Sequence, residues 1–342
     1  MKQLNEYVFM SIYLILLYYM EVIMIYKKFG KLNVDISIIS LGGHEYLSTG
    51  ASRGFNENFE LAIQPNYIFN GFGQDSRKKV LTAAFDNGIN FFDVTQDSEK
   101  EALGRNLKEI KVPYEIYIQT RPESMVFTYG KNNIGSRMAK YDLLKTEVQR
   151  ILKLLQRDQI EFLNIPFMKA ALDYDIEYLD KIKYNIETLK KEGLIRFACA
   201  DTFSGEYTYL KQIGADCFDG IYINFNFGDY QAENKVLQKA KEKGLGVITR
   251  EAYMKGKLFK IADEIGFTDK PKLAKAALKW CLAHDEVTTV VYGTGKVNHL
   301  LDALSILDNL KMTEEDLAII EQIKQSNLFK EFETQKNSEF IG

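Results

Sequence analysis

The chain has 342 residues, 46% of them hydrophobic and 27% charged, with a formal net charge of −3. This is an ordinary globular composition, and the interspersed charges exclude the basic face that nucleic-acid binding requires. Three cysteines stand far apart and are expected to be buried thiols, and three histidines are too few for the usual metal cluster, so no metal site is expected. The length suits one large α/β barrel or two ordinary domains.

The first segment is strongly apolar, because residues Tyr7 to Tyr26 carry a single charge, Glu21. Its length is marginal for a membrane span of about 20 residues, and a charge is costly inside one. Three interpretations of residues 1–23 stay open: a start site placed too early, with translation beginning at Met24; a membrane anchor or packed extension; and a signal peptide. A membrane is a partner only if the segment is an anchor, and a cytoplasmic location is otherwise expected.

From Met24 onward, short β-branched apolar runs alternate with longer amphipathic stretches, which is typical of βα units and a parallel sheet. Eight runs are predicted as strands: Ile36–Leu41, Ile89–Val94, Glu115–Thr120, Ile160–Ile165, Ile195–Ala200, Gly220–Asn224, Gly246–Thr249 and Thr288–Tyr292. Helices are predicted over Ser76–Asn87, Tyr141–Gln156, Glu177–Lys191, Glu206–Ile213, Ala232–Lys243, Pro271–His284, Val297–Leu307 and Glu314–Gln325. Since no Pro/Gly/Ser-rich linker divides the series, we predict one α/β domain, a (β/α)8 TIM barrel over residues 24–325.

Two longer segments and the C-terminus fall outside this regular alternation. Tyr46–Gln74 and Pro122–Ala139 are predicted insertions after the first and third strands, at the C-terminal face where barrel enzymes place their substrate loops. Residues 326–342 are predicted to be a polar, loose surface tail.

Five stretches, in this order, resemble the aldo-keto reductases: MIYKKFGKLNVDISIISLGG, AAFDNGINFFDV, IETLKKEGLIRFACADTFS, KEKGLGVITREAYMKGKL and AKAALKWCLAHDEVTTVVYGTGKVNHLLDAL. The resemblance as a whole runs from about Met24 to Gln325, nearly the whole chain. The resemblance implies a (β/α)8 barrel with an N-terminal hairpin. It also implies an oxidoreductase that uses NADP or NAD on a small carbonyl or sugar substrate.

In that family a Tyr, assisted by a Lys, a His and an Asp, gives a proton to the carbonyl oxygen. The resemblance assigns the Asp to Asp93. The family reads roughly D-T-A-x-x-Y-G-D-S-E, whereas this chain reads DVTQDSE and lacks the Tyr-Gly pair. Arg121 stands where the Lys is expected and Pro166 where the His is expected. The resemblance therefore implies a reductase that lacks its usual proton-donating group and whose proton delivery is atypical.

The cofactor positions are carried over in the same way. The Ser-Asn pair that holds the carboxamide aligns with Asp201 and Thr202, the strand-six Gln with Tyr222, and the stacking position with Arg250. The family's segment that binds the cofactor phosphates aligns with Gly293, Thr294, Gly295 and Lys296. These residues form a glycine-containing turn that leads into a helix and is a suitable anion site.

Several side chains keep two interpretations. Asp93 is either functional or a structural group that caps the next turn or pairs with Arg121. Arg121 is either an anion clamp or half of a structural ion pair. Tyr46 is a candidate substitute acid if its loop folds over the site, and His44 is expected to be structural. Glu251 is favoured as part of a salt-bridge network over a catalytic acid.

Three functions therefore stay open at this point. The first is an NAD(P)-dependent oxidoreductase with another proton donor. The second is an inactive barrel that serves as a binding or regulatory subunit of a protein partner. The third is a lyase or isomerase on an anionic sugar or acid, with Arg121 and Arg250 as the clamp.

Overall fold

The computed structural model describes residues 23–127 and 136–341. A hairpin of β1 (Tyr26–Lys28) and β2 (Asp35–Ser37) precedes eight parallel strands that close into a barrel. The barrel strands are β3 (Ile39–Gly42), β4 (Phe91–Val94), β5 (Tyr117–Thr120), β6 (Ile160–Pro166), β7 (Ile195–Asp201), β8 (Gly220–Asn224), β9 (Gly246–Arg250) and β10 (Thr289–Tyr292). The predicted (β/α)8 barrel with an N-terminal hairpin is confirmed.

Helices cover the outside of this barrel. Those in the described ranges are α1 (Phe59–Ala62), α2 (Asp75–Asp86), α3 (Asp97–Glu109), α4 (Glu123–Phe127), α5 (Tyr141–Leu155), α6 (Lys169–Tyr174), α7 (Tyr178–Lys191), α8 (Gly205–Gly214), α9 (Val236–Glu242), α10 (Lys257–Glu264), α11 (Lys270–Leu282), α12 (Val297–Leu304), α13 (Glu314–Lys324) and α14 (Asn327–Ile341). Two predicted helices are interrupted: Gln231–Asn234 and Ser305–Asp308 are short 3-10 turns beside α9 and α12.

The helix α3 was absent from the sequence prediction. Its first turn is Asp97, Ser98, Glu99 and Lys100, all of them polar and all of them buried. Arg150 of α5 forms ion pairs with Asp97, and Lys100 lies 3.2 Å from the same carboxylate. The Arg150 charge that stabilises Asp97 comes from another helix. The first turn of α3 is therefore buried without the apolar stripe by which most buried helices are recognised in a sequence.

The predicted loose tail is wrong, because residues 327–341 form α14. Its side chains Phe329, Phe332 and Phe340 are buried, and the Phe329 ring stacks on Phe227 with centroids 5.5 Å apart. Each buried aromatic side chain contributes about 3–5 kcal/mol relative to alanine. The tail is therefore part of the packed fold. Its average composition is polar and gave no indication of these three buried aromatic side chains.

The apolar N-terminal segment lies outside the described residues, and so do residues 128–135 of the predicted insertion Pro122–Ala139. In the two described ranges, no helix is long and apolar enough to cross a membrane. All three cysteines are buried free thiols, as expected. The insertion Tyr46–Gln74 is tied to the first turn of α3 by two backbone donors, with Asn66 N 2.7 Å from Asp97 Oδ2 and Phe69 N 2.9 Å from Ser98 Oγ.

The strand register decides which groups meet at the mouth of the barrel. Gly42 of β3 pairs with Asp93 of β4, and Leu41 of β3 pairs with Tyr292 of β10. Because all the strands are parallel, their carboxyl ends emerge on one face. The loop that follows β3 therefore begins between Asp93 on one side and the turn after Tyr292 on the other.

Candidate active site

Asp93 lies near the end of β4 and is buried by two neighbours on other strands. Gln119 Nε2 donates to Asp93 Oδ1 over 2.9 Å, and the Tyr222 hydroxyl donates to Asp93 Oδ2 over 2.7 Å. Burial raises the pKa of Asp93, and the Tyr222 hydrogen bond offsets only part of that effect. Because both of its donors are uncharged, the protonation state of this buried carboxylate depends on charges brought to the mouth of the barrel.

Arg121 pairs with Glu123 rather than with Asp93. Its Nε and Nη2 both donate to the Glu123 carboxylate, the latter over 3.0 Å, because α4 begins at Glu123, two residues further along the chain. Its Nη1 lies 3.8 Å from Asp201 Oδ2. The arrangement matches the structural ion pair that the sequence left open, and it corrects the suggested Asp93–Arg121 pair.

Arg250 and Asp201 form a second charged pair, across the ends of β9 and β7. The guanidinium Nη1 and Nη2 contact the two Asp201 oxygens at 3.0 and 2.9 Å, and Nε donates to Asn224 Oδ1 over 2.5 Å. The guanidinium also stacks on Tyr222, 4.4 Å from the ring centroid. The fully buried Asp201 carboxylate is therefore neutralised by a fork-shaped partner.

The predicted carboxamide partners are thus already engaged. Asn164 Nδ2 donates to Asp201 over 3.1 Å, and the Thr202 hydroxyl accepts from Ser204 N over 3.0 Å. Both arginines of the predicted clamp face carboxylates of this chain. Glu251 forms the network pair favoured by the sequence, with Lys255 Nζ 3.2 Å from its carboxylate.

His44 forms a pair with Glu99 that the sequence reasoning missed. Its Nδ1 lies 2.6 Å from Glu99 Oε1, while 38% of the imidazole side chain stays exposed. Glu99 is held from its other side by Thr95, whose backbone N and hydroxyl donate to Oε2 over 2.8 and 3.0 Å. A carboxylate fixed by a helix start, holding one imidazole nitrogen, is an arrangement that orients a proton-transferring histidine.

The local sequence explains why Glu99 points this way. Gln96 is the N-cap of α3, and Glu99 closes a capping box by accepting from the Gln96 backbone N. This x-x-E pattern at a helix start is visible in the sequence. His44, 55 positions earlier, could not be linked to it without the barrel register.

The two pKa values of this pair move apart. Partial burial lowers the pKa of His44, but the charge and hydrogen bond of Glu99 outweigh it, and the net pKa is raised. Burial raises the pKa of Glu99, yet His44 and Thr95 dominate and bring it to about 2. Both shifts favour the charged forms, so the electrostatics favour an imidazolium paired with a carboxylate.

This charge state predicts a pH window for stability. The pKa of Glu99 is lowered from 4.5 to about 2, so its contribution is full above pH 4.5 and is lost as the pH falls through about 2. The pKa of His44 is raised above 6.5, so its contribution is full below pH 6.5 and is lost as the pH rises through the folded value. We expect the difference in unfolding free energy between the wild-type protein and Glu99→Gln to peak between these limits.

Urea denaturation across pH measures this difference. Glu60→Gln, at an exposed position on α1, is the matched control and is expected to show no such peak. A difference that is largest in alkaline solution would contradict the imidazolium–carboxylate pair.

Tyr46 reaches the turn Gly293–Lys296 instead of Asp93. A side chain added at Gly293 would overlap the Tyr46 hydroxyl, so the phenol lies directly against this turn and would have to move to admit one. Burial raises the pKa of Tyr46 to about 12, although the positive charge of Arg77 lowers it in part. A phenol in this state is a weak acid, and its substitute-acid role stays a prediction.

The turn itself leads into α12. Thr294 Oγ1 accepts from Lys296 N over 3.1 Å, and Gly295 and Lys296 are exposed. Among the described residues no side chain caps α12. Its first N–H groups are therefore open to an anion, with the Lys296 ammonium beside them.

A model of the aldo/keto reductase family matches residues 63–272 and 257–325 of this chain. The chain belongs to that family and is an oxidoreductase of the aldo/keto reductase type. Among curated proteins it is similar to L-galactose dehydrogenase of Arabidopsis thaliana, with 25% identity over 291 residues, 75% of this chain and 86% of that protein.

Two solved structures share the barrel. One is the holo form of aldo-keto reductase AKR11C1 from Bacillus halodurans, with a TM-score of 0.63 and 18% identity over 88% of this chain and 96% of that one. The other is glycerol dehydrogenase AKR11B4 from Gluconobacter oxydans, with a TM-score of 0.64 and 16% identity over 89% and 96%. At these identities the likeness concerns the fold.

Proposed function

We propose that this protein is an NAD(P)-dependent oxidoreductase that interconverts a hydroxyl and a carbonyl group on a small sugar, with atypical proton delivery. The observation that carries the proposal is the uncapped start of α12 behind Gly293–Lys296. This turn follows β10, Asp93 lies on β4, and only β3 separates the two strands. An anion site and a buried acidic group so placed would bring a dinucleotide phosphate and a reacting group to the same mouth.

The residues present fit the phosphate end of such a cofactor. The backbone N–H groups at the start of α12 and the exposed Lys296 would hold the phosphates, and the Tyr46 hydroxyl lies against the turn at Gly293. When bound, the dinucleotide supplies or accepts the two electrons of the reaction. Asp201 and Thr202 already have hydrogen-bond partners in this chain, and their contact with the carboxamide stays a prediction.

The proposed substrate class rests on one relative and on the polarity of the mouth. L-Galactose dehydrogenase is 25% identical to this chain over most of its length. The half-exposed His44 and the ion pairs of Arg121 and Arg250 line the same mouth, which suits a hydroxyl-rich ligand. L-Galactose is therefore the first probe substrate, followed by other sugars and aldehydes.

Titration of the purified protein with NADPH and NADH, followed by cofactor fluorescence, tests cofactor binding. We expect saturable binding of at least one of them. Lys296→Ala is expected to weaken it about 10- to 100-fold, because one charged contact to a phosphate contributes about 1.5–3 kcal/mol. Lys311→Ala, at an exposed lysine away from the turn, is the control and should leave the affinity unchanged. No saturable binding of either cofactor would contradict the proposal.

A second candidate is a barrel retained as a binding or regulatory subunit. It is favoured by the way Arg250 and Arg121 are neutralised by carboxylates of the same chain instead of facing a ligand. Under this candidate a stoichiometric protein partner co-purifies, and no sugar or aldehyde is turned over. A monomer that turns over a sugar would exclude it.

A further inference from the structure

His44 lies two residues beyond the end of β3, at the mouth of the barrel. The chain leaves β3 through Gly42 and Gly43, and a Cβ at Gly43 would lie only 2.6 Å from the carbonyl oxygen of Asp93. The backbone at Gly43 is therefore in close contact with the end of β4. This close approach places the next residue, His44, beside the end of β4, where the charge of Asp93 acts on the imidazole.

The side chain of His44 is oriented as well as placed. Nδ1 is held by Glu99 at 2.6 Å, and the Phe55 ring meets the imidazole edge-on with centroids 6.0 Å apart. Within the described part of the chain, Nε2 has no hydrogen-bond partner, and the side chain is 38% exposed. One nitrogen is thus anchored while the other is available at the mouth.

We infer that His44 is the residue that exchanges the proton with the substrate oxygen, with Glu99 as its positioning residue. The inference rests on the proposed oxidoreductase function. In the direction of carbonyl reduction, Nε2 gives its proton to the oxygen as the carbon receives two electrons and a hydrogen from the reduced dinucleotide. His44 is left neutral, the substrate becomes an alcohol, and water returns a proton to Nε2. Alcohol oxidation runs the same transfers in reverse.

The charges around His44 favour this role. Glu99 from α3 and Asp93 from β4 raise the pKa of the imidazole, and Arg121, which follows β5, lowers it. The net pKa is raised, which favours the protonated imidazole that a general acid requires. Neutral His44 after the transfer would still be held by Glu99, so its geometry persists through the cycle.

The two tyrosines near the mouth are less suited to the same task. Burial raises the pKa of Tyr46 to about 12, and its hydroxyl lies against Gly293. The Tyr222 hydroxyl is buried and donates to Asp93, with Arg250 over its ring. His44 combines exposure, orientation and a proton that it can release.

Nuclear magnetic resonance of histidine-labelled full-length protein tests the inference without a known substrate. The chain has three histidines, so His284→Gln and His299→Gln identify the His44 signals by subtraction and leave His44 itself intact. We expect the pKa of His44 to lie above 6.5 and to fall in Glu99→Gln. Saturation with NADP+ should shift the His44 ring signals.

The other histidines make the outcomes distinguishable. His299 lies in the first turn of α12 and reports phosphate binding, whereas His284, bound to Glu233 at 3.0 Å, is the remote control. If NADP+ shifts His299 but leaves His44 unchanged, or if His44 is neutral at pH 7, the role of His44 is wrong and the proposed function stands. If neither His44 nor His299 responds and no cofactor binds, both are wrong.

Discussion

Replacing His44 by glutamine is expected to lower kcat by about 10²–10⁴-fold, the usual contribution of a positioned general acid. L-Galactose with NAD+ or NADP+ is the first assay, and the best sugar of a panel replaces it if turnover is faster. Glutamine keeps a hydrogen-bonding side chain toward Glu99 but has no proton to exchange. The affinity for NADPH is expected to stay within about threefold, because the proposed role of His44 is toward the substrate oxygen and not toward the phosphates.

Two further variants sharpen this result. Tyr46→Phe removes the competing acid and is expected to leave kcat within a few-fold of the wild-type value. Glu99→Gln should lower kcat less than His44→Gln and should shift the pH profile of kcat toward acid, since the pKa of His44 loses its main support. A large loss in Tyr46→Phe with full activity in His44→Gln would reverse the assignment.

Arg250→Met is expected to destabilise the protein by about 3–5 kcal/mol, because it leaves the Asp201 carboxylate buried without its bidentate partner. The Arg121 guanidinium already binds Glu123 through Nε and Nη2, so its Nη1, 3.8 Å from Asp201 Oδ2, offsets only part of the loss. Urea denaturation measures the change. The methionine chain retains part of the apolar packing on Tyr222, so the effect reports the charge.

The controls separate a structural pair from a ligand site. Adding Asp201→Asn to Arg250→Met should recover at least half of the lost stability, because no buried charge then remains unpaired. Arg196→Met, at a partly exposed pair with Glu115, should cost less than about 1 kcal/mol. If Arg250→Met is no more destabilising than Arg196→Met but abolishes NADPH binding, Arg250 belongs to the cofactor site.

The regular parts of this fold were predictable because their signal is local. The buried parallel strands contain short apolar runs, and β8 begins and ends where its run, Gly220–Asn224, predicts. The helix α3 was missed because its buried face is charged, and its neutralising partner Arg150 lies on another helix. The tail was missed because Phe329 and Phe332, spaced by one helical turn, stand in an otherwise polar segment.

The sequence predicted which residue positions form the site, but not which side chains contact one another there. Resemblance located Asp93, Arg121 and the turn after β10, but their partners depend on contacts between strands. Arg121 takes Glu123 and Asp93 takes Tyr222, 129 positions away, and neither choice follows from spacing. The His44–Glu99 pair had one sequence signal, the capping box at Gln96 and Glu99, and required the β3–β4 register to connect it to a histidine.

Reduction of NAD+ or NADP+ by sugars, followed through the absorbance of the reduced nicotinamide, tests most directly whether the protein is a redox enzyme. We predict turnover that depends on the protein, with L-galactose or a related sugar, and that is reduced at least about 100-fold in His44→Gln. Saturable cofactor binding without turnover across the sugar and aldehyde panel would contradict this function and leave a binding or regulatory barrel.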